Sequence, residues 1–289
     1  MIPPSFDYHA PENLEEASQL LLANPEAKLL AGGHSLIPMM RFRLAEPAAL
    51  VDLRKIPGLS GIREDGGSLC IGAMTRESEL EKSALVQSRY PLLADTTRVI
   101  ADPVVRNLAT IGGNVAHADP GNDHPATMLA YRASFLACGP SGERTIAASD
   151  FFTGPFSTCL EAGEILTEIH IPASGAGSGG AYRKFERKVG DYAVAAVAVQ
   201  LQLDGGRIAS AGVALTNVGL TAIQAGAAEA ALVGSDGGDA ALDAAAEAAA
   251  EAADPGDDHR GSADYKHAVV RVLTHRAAAS ALARAREAS

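Results

Sequence analysis

The chain has 289 residues, of which 47% are hydrophobic and 20% are charged, a composition typical of a globular protein with one or two domains. Its 24 Lys and Arg residues against 35 Asp and Glu residues give a formal net charge of −11. This charge disfavours attraction to nucleic acid or to an anionic membrane surface, so neither is an expected partner. The three cysteines, Cys70, Cys138 and Cys159, are too few and too widely separated to indicate a disulfide framework or a metal cage.

The opening stretch, MIPPSFDYHAPENLEE, has neither the basic segment nor the apolar segment of a signal peptide. No later apolar run reaches membrane-spanning length. The sequence therefore predicts a cytoplasmic protein that does not span a membrane.

The opening third predicts an α/β arrangement. Asn13 followed by Glu16 is typical of a helix N-terminus, and this helix is expected to end near Asn24. Residues 28–31 and 50–53 are apolar enough to predict two short strands.

The middle of the chain predicts hairpins and helices in turn. A hairpin is expected to turn at residues 65–66, and helices are expected to open at Pro91 and near Pro125. Residues 134–147 predict two short strands joined by a turn, and residues 164–171 predict a further strand.

The last third begins with a Gly/Ser-rich break, ASGAGSGG at residues 173–180, which predicts a domain boundary or a surface loop. Two apolar segments then flank Asp204-Gly205-Gly206, a strong hairpin signal. From about Ala222 the chain is rich in alanine, which predicts packed helices.

Two Gly-Gly pairs indicate where the chain could bind an anionic ligand. The first glycine segment is AGGHS at residues 31–35, and the second glycine segment is TIGGN at residues 110–114. Adjacent glycines permit positive φ and remove both Cβ atoms, so successive N–H groups can converge on one anion. The side chains of Ser35 and Asn114 could each donate a further hydrogen bond to a phosphate oxygen. One such pair is usually only a turn, so the structural and the phosphate-binding interpretations both stay open here.

Histidines and carboxylates near these segments suggest a metal or catalytic site but do not establish one. His34 has no second ligand near it in sequence, so local hydrogen bonding or packing on a ligand is favoured. His117, Asp119, Asp123 and His124 lie in HADPGNDHP, where Pro, Gly and Asn favour a loop. Asp123 is well suited to accept a hydrogen bond from a ribityl or ribose hydroxyl.

Residues 175–180, GAGSGG, match the GxGxxG pattern of dinucleotide-binding folds. The context disfavours that interpretation, because YRKFERKVGD follows without an apolar helical period and Pro172 intervenes after the preceding strand. A linker is the favoured interpretation over a nicotinamide site.

The combination of LAGGHSLIP, TIGGN, DPGND and KFERKVGDYA resembles the FAD-binding medium subunits of the molybdenum hydroxylases, the xanthine dehydrogenase family. The resemblance runs essentially end to end, from MIPPSFDYHAP to ALTNV at residues 214–218 and beyond, and is greatest to the aerobic carbon monoxide dehydrogenase branch. It implies an α+β fold: an FAD-binding domain of the vanillyl-alcohol-oxidase (PCMH) type at residues 1–175, and a smaller C-terminal domain of antiparallel sheet plus helices at residues 176–289.

The resemblance also implies an FAD site. Both glycine segments would clasp the pyrophosphate through main-chain N–H groups, Asp123 would lie near the sugar-like chain, and Lys184 and Tyr192 would lie against the isoalloxazine. A lysine there would stabilise a reduced, anionic flavin, although an exposed surface charge is an equally good interpretation of Lys184. No catalytic acid or base and no metal ligand is assigned. The predicted FAD-binding residues are Leu30, Ala31, Gly32, Gly33, His34, Ser35, Leu36, Ile100, Ala101, Thr110, Ile111, Gly112, Gly113, Asn114, Asp123, Leu166, Lys184 and Tyr192.

The function implied is that of an electron-transfer subunit. A large partner subunit with a molybdenum pterin would oxidise CO with water to CO2, and a small subunit with two iron–sulfur clusters would pass electrons to FAD in this chain. A quinone or respiratory component would accept them, from a dimer of heterotrimers that is cytoplasmic and peripheral at the inner face of the cell membrane. Two alternatives remain: a flavin subunit for xanthine, aldehyde, nicotinate or aromatic thioester oxidation, and a flavin-free assembly scaffold in which the glycine segments are only turns.

Overall fold

A small parallel sheet opens the chain and carries the first glycine segment. The computed structural model describes residues 2–289, and this sheet has the order β1-β3-β2, with β1 (Asp7–His9), β2 (Lys28–Leu30) and β3 (Ala49–Asp52). Helix α1 (Leu14–Ala23) connects β1 to β2, and α2 (Leu36–Arg41) follows β2. The side chain of Asn13 caps α1 by accepting the N–H of Glu16 at 2.8 Å, which confirms the predicted helix start.

A five-stranded antiparallel sheet follows, in the order β4-β5-β10-β6-β7. Its strands are β4 (Ile62–Asp65), β5 (Ser68–Gly72), β6 (Ser134–Gly139), β7 (Gly142–Ala147) and β10 (Ile165–Pro172). A short ribbon, β8 (Phe152–Gly154) with β9 (Ser157–Thr158), leads into β10. The predicted hairpins at residues 62–72 and 134–147 and the predicted strand at residues 164–171 are confirmed.

Helices connect β5 to β6 and cover this sheet. They are α3 (Glu77–Lys82), α4 (Ala84–Arg89), α5 (Pro91–Val99), α6 (Pro103–Arg106), α7 (Ile111–His117) and α8 (Asp123–Tyr131), and α9 (Ala148–Phe151) follows β7. Helix α5 begins at Pro91 as predicted, whereas α8 begins at Asp123, two residues before Pro125. The second glycine segment differs from the expected bare corner, because it forms the N-cap and first turn of α7.

The C-terminal part is an antiparallel sheet covered by helices. The sheet order is β11-β12-β13-β14, with β11 (Ser178–Glu186), β12 (Ala193–Asp204), β13 (Arg207–Thr216) and β14 (Ile223–Gln224). The helices are α10 (Gly226–Leu232), α11 (Asp239–Ala252) and α12 (Ala263–Glu287). These elements confirm the predicted hairpin at residues 204–206, the helical C-terminus and the α+β fold class.

The position of strand β12 between two hydrophobic cores explains why its sequence is apolar without alternation. Ala196 and Ala198 belong to a core shared with α8 and the five-stranded sheet, while Val197 and Val199 belong to a core shared with α11 and α12. The face toward α8 is close-packed, because a Cβ added at Gly212 of β13 would lie 2.0 Å from the main-chain oxygen of Ala130. This packing places the C-terminal end of α8 against the C-terminal sheet.

Residues 173–177 join the two parts of the chain. Gly179 and Gly180 lie inside β11, so no helix follows the GxGxxG match, which supports the linker interpretation over a nicotinamide site. Gly179 permits close packing instead, since a Cβ there would lie 2.2 Å from the main-chain oxygen of Ala281. One hydrophobic core includes residues on both sides of this connection, and the boundary at residue 175 stays a prediction. None of the helices within residues 2–289 combines the length and apolarity that crossing a bilayer requires.

Candidate functional site

The two glycine segments lie side by side at the wall of one cavity of about 840 Å³. A Cβ added at Gly113 would lie 3.5 Å from the Cβ of Ala31, and one added at Gly32 would lie 2.3 Å from the main-chain oxygen of Leu108. The volume falls in the range of small-molecule and cofactor pockets, about 300–1,000 Å³. The fold therefore brings together two segments that lie far apart in sequence.

All but two of the predicted FAD-binding residues line this cavity. Leu30 lies outside the lining, because it ends β2 and packs beneath the loop, its Cδ1 atom 3.3 Å from a Cβ built on Gly33. Ile111 also lies outside, because its side chain is fully buried in the core of the five-stranded sheet. The placement of the other residues supports their selection, but their individual contacts with FAD stay predictions.

The first glycine segment presents free donors to the cavity. Among residues 2–289, no main-chain acceptor receives the N–H groups of Gly32, Gly33, His34 or Ser35. Gly33 has a φ of 76°, a left-handed conformation that glycine adopts without steric cost. The Nε2 atom of His34 is buried and has no hydrogen-bond partner. Because buried polar atoms are normally paired, this group of donors fits an anionic ligand with polar edges.

The second glycine segment uses its donors within the protein. The N–H groups of Ile111 and Gly112 donate to the main-chain oxygens of Thr75 and Ala73 at 3.0 and 2.9 Å. Thr110 accepts the N–H of Gly113 at 3.2 Å through its hydroxyl and that of Asn114 at 3.0 Å through its carbonyl. The expectation that both segments offer free main-chain N–H groups therefore fails for residues 111–114 of the second one, because Ala73, Thr75 and the helix cap Thr110 already accept them.

Asn114 still offers a side-chain group. Its Oδ1 atom is buried without a partner, and an amide can present a donor or an acceptor depending on which way it is turned. Its main-chain oxygen accepts the side chain of Asn122 at 2.9 Å, which ties α7 to the start of α8. The second segment thus forms part of the cavity wall and supplies one side-chain amide, that of Asn114, whose Oδ1 atom has no hydrogen-bond partner.

Asp123, at the start of α8, anchors a polar network that crosses to the C-terminal sheet. Its Oδ1 atom accepts the hydroxyl of Tyr182 at 2.7 Å, and its Oδ2 atom accepts Nζ of Lys184 at 2.9 Å. Burial raises the pKa of Tyr182 well above its usual value, and the charge of Asp123 adds to this rise. The Lys184 side chain is only 3% exposed, so the interpretation of Lys184 as a surface charge is excluded.

Tyr192 lies at the edge of the cavity, with 44% of its surface exposed. The guanidinium of Arg260 lies 5.9 Å from its ring centroid and pairs with Asp191 at 3.3 Å, which holds the ring in place. Partial burial raises the pKa of Tyr192, and the nearby charges of Asp119 and Asp123 add to the rise. An aromatic ring with one wet edge can cover a planar ligand.

The sequence did not indicate the part of the wall next to β10. Residues 160–164, which lead into β10, line the cavity, as does Met74. These positions carry no motif, and they reach the cavity only because β10 pairs between β5 and β6. Their contribution depends on sheet order, which local patterns do not specify.

The histidines and carboxylates of HADPGNDHP do not converge on one point. His117 packs on Phe156 with ring centroids 5.2 Å apart, Asp119 accepts the N–H of Gly121 at 2.9 Å, and His124 lies 2.9 Å from Glu77 in a fully buried pair. These separate partners argue against a shared metal site. The predicted loop is confined to residues 118–122, because His117 ends α7 and Asp123 and His124 begin α8. Burial lowers the pKa of His117.

Another group of possible metal ligands lies on paired strands: Cys70 of β5 with Glu168 and His170 of β10. Glu168 already accepts His170 at 2.6 Å and pairs with Arg63, so these contacts satisfy its charge without a metal. Burial raises the pKa of the Cys70 thiol, which disfavours the thiolate that metal binding needs.

Two family profiles account for almost the whole chain. The FAD binding domain in molybdopterin dehydrogenase matches residues 4–174, and the CO dehydrogenase flavoprotein C-terminal domain matches residues 180–281. The chain belongs to the FAD-binding flavoproteins of the molybdopterin dehydrogenases. The predicted family and the PCMH-type fold are thus confirmed.

Three relatives within this flavoprotein family align along nearly their full length. The chain is 48% identical to the carbon monoxide dehydrogenase medium chain of Hydrogenophaga pseudoflava, over 98% of this chain and 99% of the relative. It is 46% identical to the corresponding chain of Afipia carboxidovorans, over 99% and 100%. Identity to the glyceraldehyde dehydrogenase medium chain of Sulfolobus acidocaldarius is 36%, over 96% and 98%.

A solved structure shows the same fold. The structure of carbon monoxide dehydrogenase from Hydrogenophaga pseudoflava, in a form that lacks the Mo-pyranopterin moiety of its cofactor, superposes with a TM-score of 0.96. The aligned residues are 51% identical and cover 98% of this chain and 99% of that one. The cavity, its free donors and its unpaired buried atoms therefore belong to a flavoprotein with an FAD-binding domain.

Proposed function

We propose that this chain is the FAD-binding electron-transfer subunit of an aerobic carbon monoxide dehydrogenase. The supporting observation is the higher identity to carbon monoxide dehydrogenase medium chains, 48% and 46%, than to the glyceraldehyde dehydrogenase chain, 36%. A large molybdenum-containing partner would oxidise CO with water to CO2, and a small iron–sulfur partner would supply electrons. The final acceptor would be a quinone or respiratory component, with the complex a dimer of heterotrimers at the cytoplasmic face of the membrane.

Different residues of the cavity would bind different parts of FAD. The free N–H groups of residues 32–35 would hold the diphosphate, because converging main-chain donors favour an anion even on a chain with a net charge of −11. His34 and Asn114, each with a buried unpaired atom, would complete the polar contacts. Asp123 would accept a hydroxyl of the ribityl chain, and Tyr192 would cover the ring. When bound, FAD takes electrons one at a time and releases them as a pair.

We assign the oxidation of the substrate to the partner subunits. Three cysteines cannot supply the four-cysteine sets that iron–sulfur clusters need, so those centres would belong to partners. We assign residues 1–175 to the FAD-binding unit and residues 176–289 to a unit that places Lys184 and Tyr192 against the flavin.

Exposed apolar side chains next to the cavity support a partner interface. Phe42 and Leu44 are 68% and 74% exposed and follow Met39, which lines the cavity. Val104 and Val189 are 72% and 98% exposed and neighbour the lining residues Val105 and Gly190. Exposed apolar clusters of this kind often mark protein contacts.

Purification of the native complex tests this proposal. We expect a flavin absorption spectrum that bleaches when CO is added, and CO-dependent reduction of an electron-accepting dye. Bleaching by xanthine or an aldehyde but not by CO would assign the chain to a sister enzyme. A complex without flavin would support the scaffold interpretation and overturn the proposal.

A further inference from the structure

Glu186 is a largely buried carboxylate to which the proposed function assigns no role. Its Oε2 atom is shielded from solvent, has no hydrogen-bond partner and lies 3.6 Å from Nζ of Lys184. Its Oε1 atom accepts the N–H of Gly190 at 3.3 Å. Glu186 therefore contacts both the lysine of the cavity wall and the loop that leads to Tyr192.

Lys184 shares its single positive charge between two carboxylates. Its Nζ atom donates to Asp123 at 2.9 Å and to the main-chain oxygen of Val99 at 3.1 Å, and both are closer than Glu186. Lys184 and Asp123 line the cavity, whereas Glu186 does not. The three side chains together carry one more negative than positive charge, with Glu186 behind Lys184.

On the basis of the proposed FAD binding, we propose that Glu186 is a positioning residue that acts through Lys184 to keep the reduction potential of the bound flavin low. A reduced flavin carries more negative charge than an oxidised one at neutral pH, so the reduced form is favoured by the positive charge of Lys184 and disfavoured by the carboxylates that surround it. Glu186 offsets that charge in a site where burial weakens solvent screening. The effect of Lys184 on the flavin then depends on a residue that does not touch the cofactor.

The contact with Gly190 gives Glu186 a second, separable effect. Gly190 has a φ of 84°, and a Cβ there would lie 2.6 Å from the main-chain oxygen of Ala101, so the loop packs tightly on the cavity rim. Glu186→Gln keeps a side-chain oxygen for this N–H and removes the charge. Glu186→Asp keeps the charge and shortens the reach to both Gly190 and Lys184, and the charge interaction, which falls only slowly with distance, is largely kept.

The experiment is a spectroscopic redox titration of the flavin in the assembled complex, with FAD content measured for each variant. For Glu186→Gln we expect a more positive midpoint potential, with the ratio of reduced to oxidised flavin at a fixed potential increased about tenfold, about 30 mV for a two-electron couple. Glu186→Asp should stay near the wild type. Glu251→Gln, which removes an exposed charge from α11, serves as the matched control and should also leave the potential unchanged.

Two results would overturn the inference while leaving FAD binding intact. One is a flavin-loaded Glu186→Gln complex with the wild-type potential. The other is an equal shift in Glu186→Asp, which would assign the effect to the Gly190 tether instead of the charge. A wild-type complex that contains no flavin would overturn the proposed function together with this inference.

Discussion

The first glycine segment is a loop after β2 with four main-chain N–H groups that have no main-chain acceptor. The second is the N-cap and opening turn of α7, and the N–H groups of its residues 111–114 are already bonded. Both contain Gly-Gly, and both lie on the same cavity wall. Their difference arises from the surroundings of each pair in the folded chain. Gly32 of the loop packs against the main chain of Leu108 without a main-chain hydrogen bond, whereas the helix start bonds to the main chain of Ala73 and Thr75.

The four glycines are required for three different reasons. Gly33 needs a positive φ, and its position controls where the free N–H groups point. Gly32 and Gly112 need close approach, since an added Cβ would lie 2.3 Å from Leu108 and 2.4 Å from Ala73. Gly113 is limited mainly by the hydroxyl of Thr110, at 2.8 Å. A Gly-Gly pair near a ligand is therefore not by itself a set of ligand donors.

The largest effect is expected from Gly112→Ala, which tests the packing role of the second segment. Alanine normally stabilises a helix relative to glycine by about 1 kcal/mol. Here the new Cβ would lie 2.4 Å from the Cβ and 2.6 Å from the main-chain oxygen of Ala73, so a backbone must move. We expect a loss of about 2–3 kcal/mol in the free energy of unfolding, measured by denaturant titration.

Gly226→Ala is the matched control for this substitution. Gly226 also lies in the opening turn of a helix, as the first residue of α10, and nothing lies within 4 Å of a Cβ there. Its stability should be unchanged or increased by up to about 1 kcal/mol. Equal stability changes in the two variants would contradict the close-packing account.

A smaller stability effect, with a larger effect on binding, is expected from Gly33→Ala. An alanine at a φ of 76° costs about 1–2 kcal/mol, and relief of this strain would turn the free N–H groups away from the cavity. We expect about tenfold weaker FAD binding, measured as FAD content after dialysis of the complex.

Gly67→Ala is the matched control that separates the effect of backbone strain from the effect on FAD binding. Gly67 has a φ of 79° in the turn between β4 and β5, with nothing within 4 Å of an added Cβ. The Gly67→Ala variant should lose about as much stability as Gly33→Ala but should keep its full FAD content. Suppose that Gly33→Ala lost as much stability as Gly67→Ala but retained its full FAD content. The first glycine segment would then not be the part of the chain that holds the diphosphate.

Much of the fold could be predicted because local signals agreed with it. The cap at Asn13, the proline at the start of α5 and the hairpin at Asp204 each fix an element boundary through short-range chemistry. The close approach of α8 to β13 could not be predicted, because Gly212 and Ala130 lie far apart in the chain and carry no shared motif.

The candidate site also has features that could be predicted from the sequence and features that could not. Most of the residues that the motifs and the resemblance selected line the cavity, but they form a minority of its lining. The motif did not indicate that Thr110 caps a helix with its hydroxyl, or that Lys184 is neutralised by Asp123. Hydrogen-bond partners depend on elements brought together by folding, so a motif can locate a residue without assigning its role.

The smallest effect is expected from Thr110→Ala, which sharpens the difference between the segments. Loss of the hydroxyl leaves the N–H of Gly113 without its 3.2 Å acceptor, and removal of such a cap costs about 1 kcal/mol. Thr110→Ser should keep the cap and most of the stability. Because the cap serves α7, FAD content should change less than in Gly33→Ala, as measured on the same dialysed complexes. A Thr110→Ala variant with wild-type stability but no flavin would show that this hydroxyl serves the cofactor, and the contrast between the two segments would then be wrong.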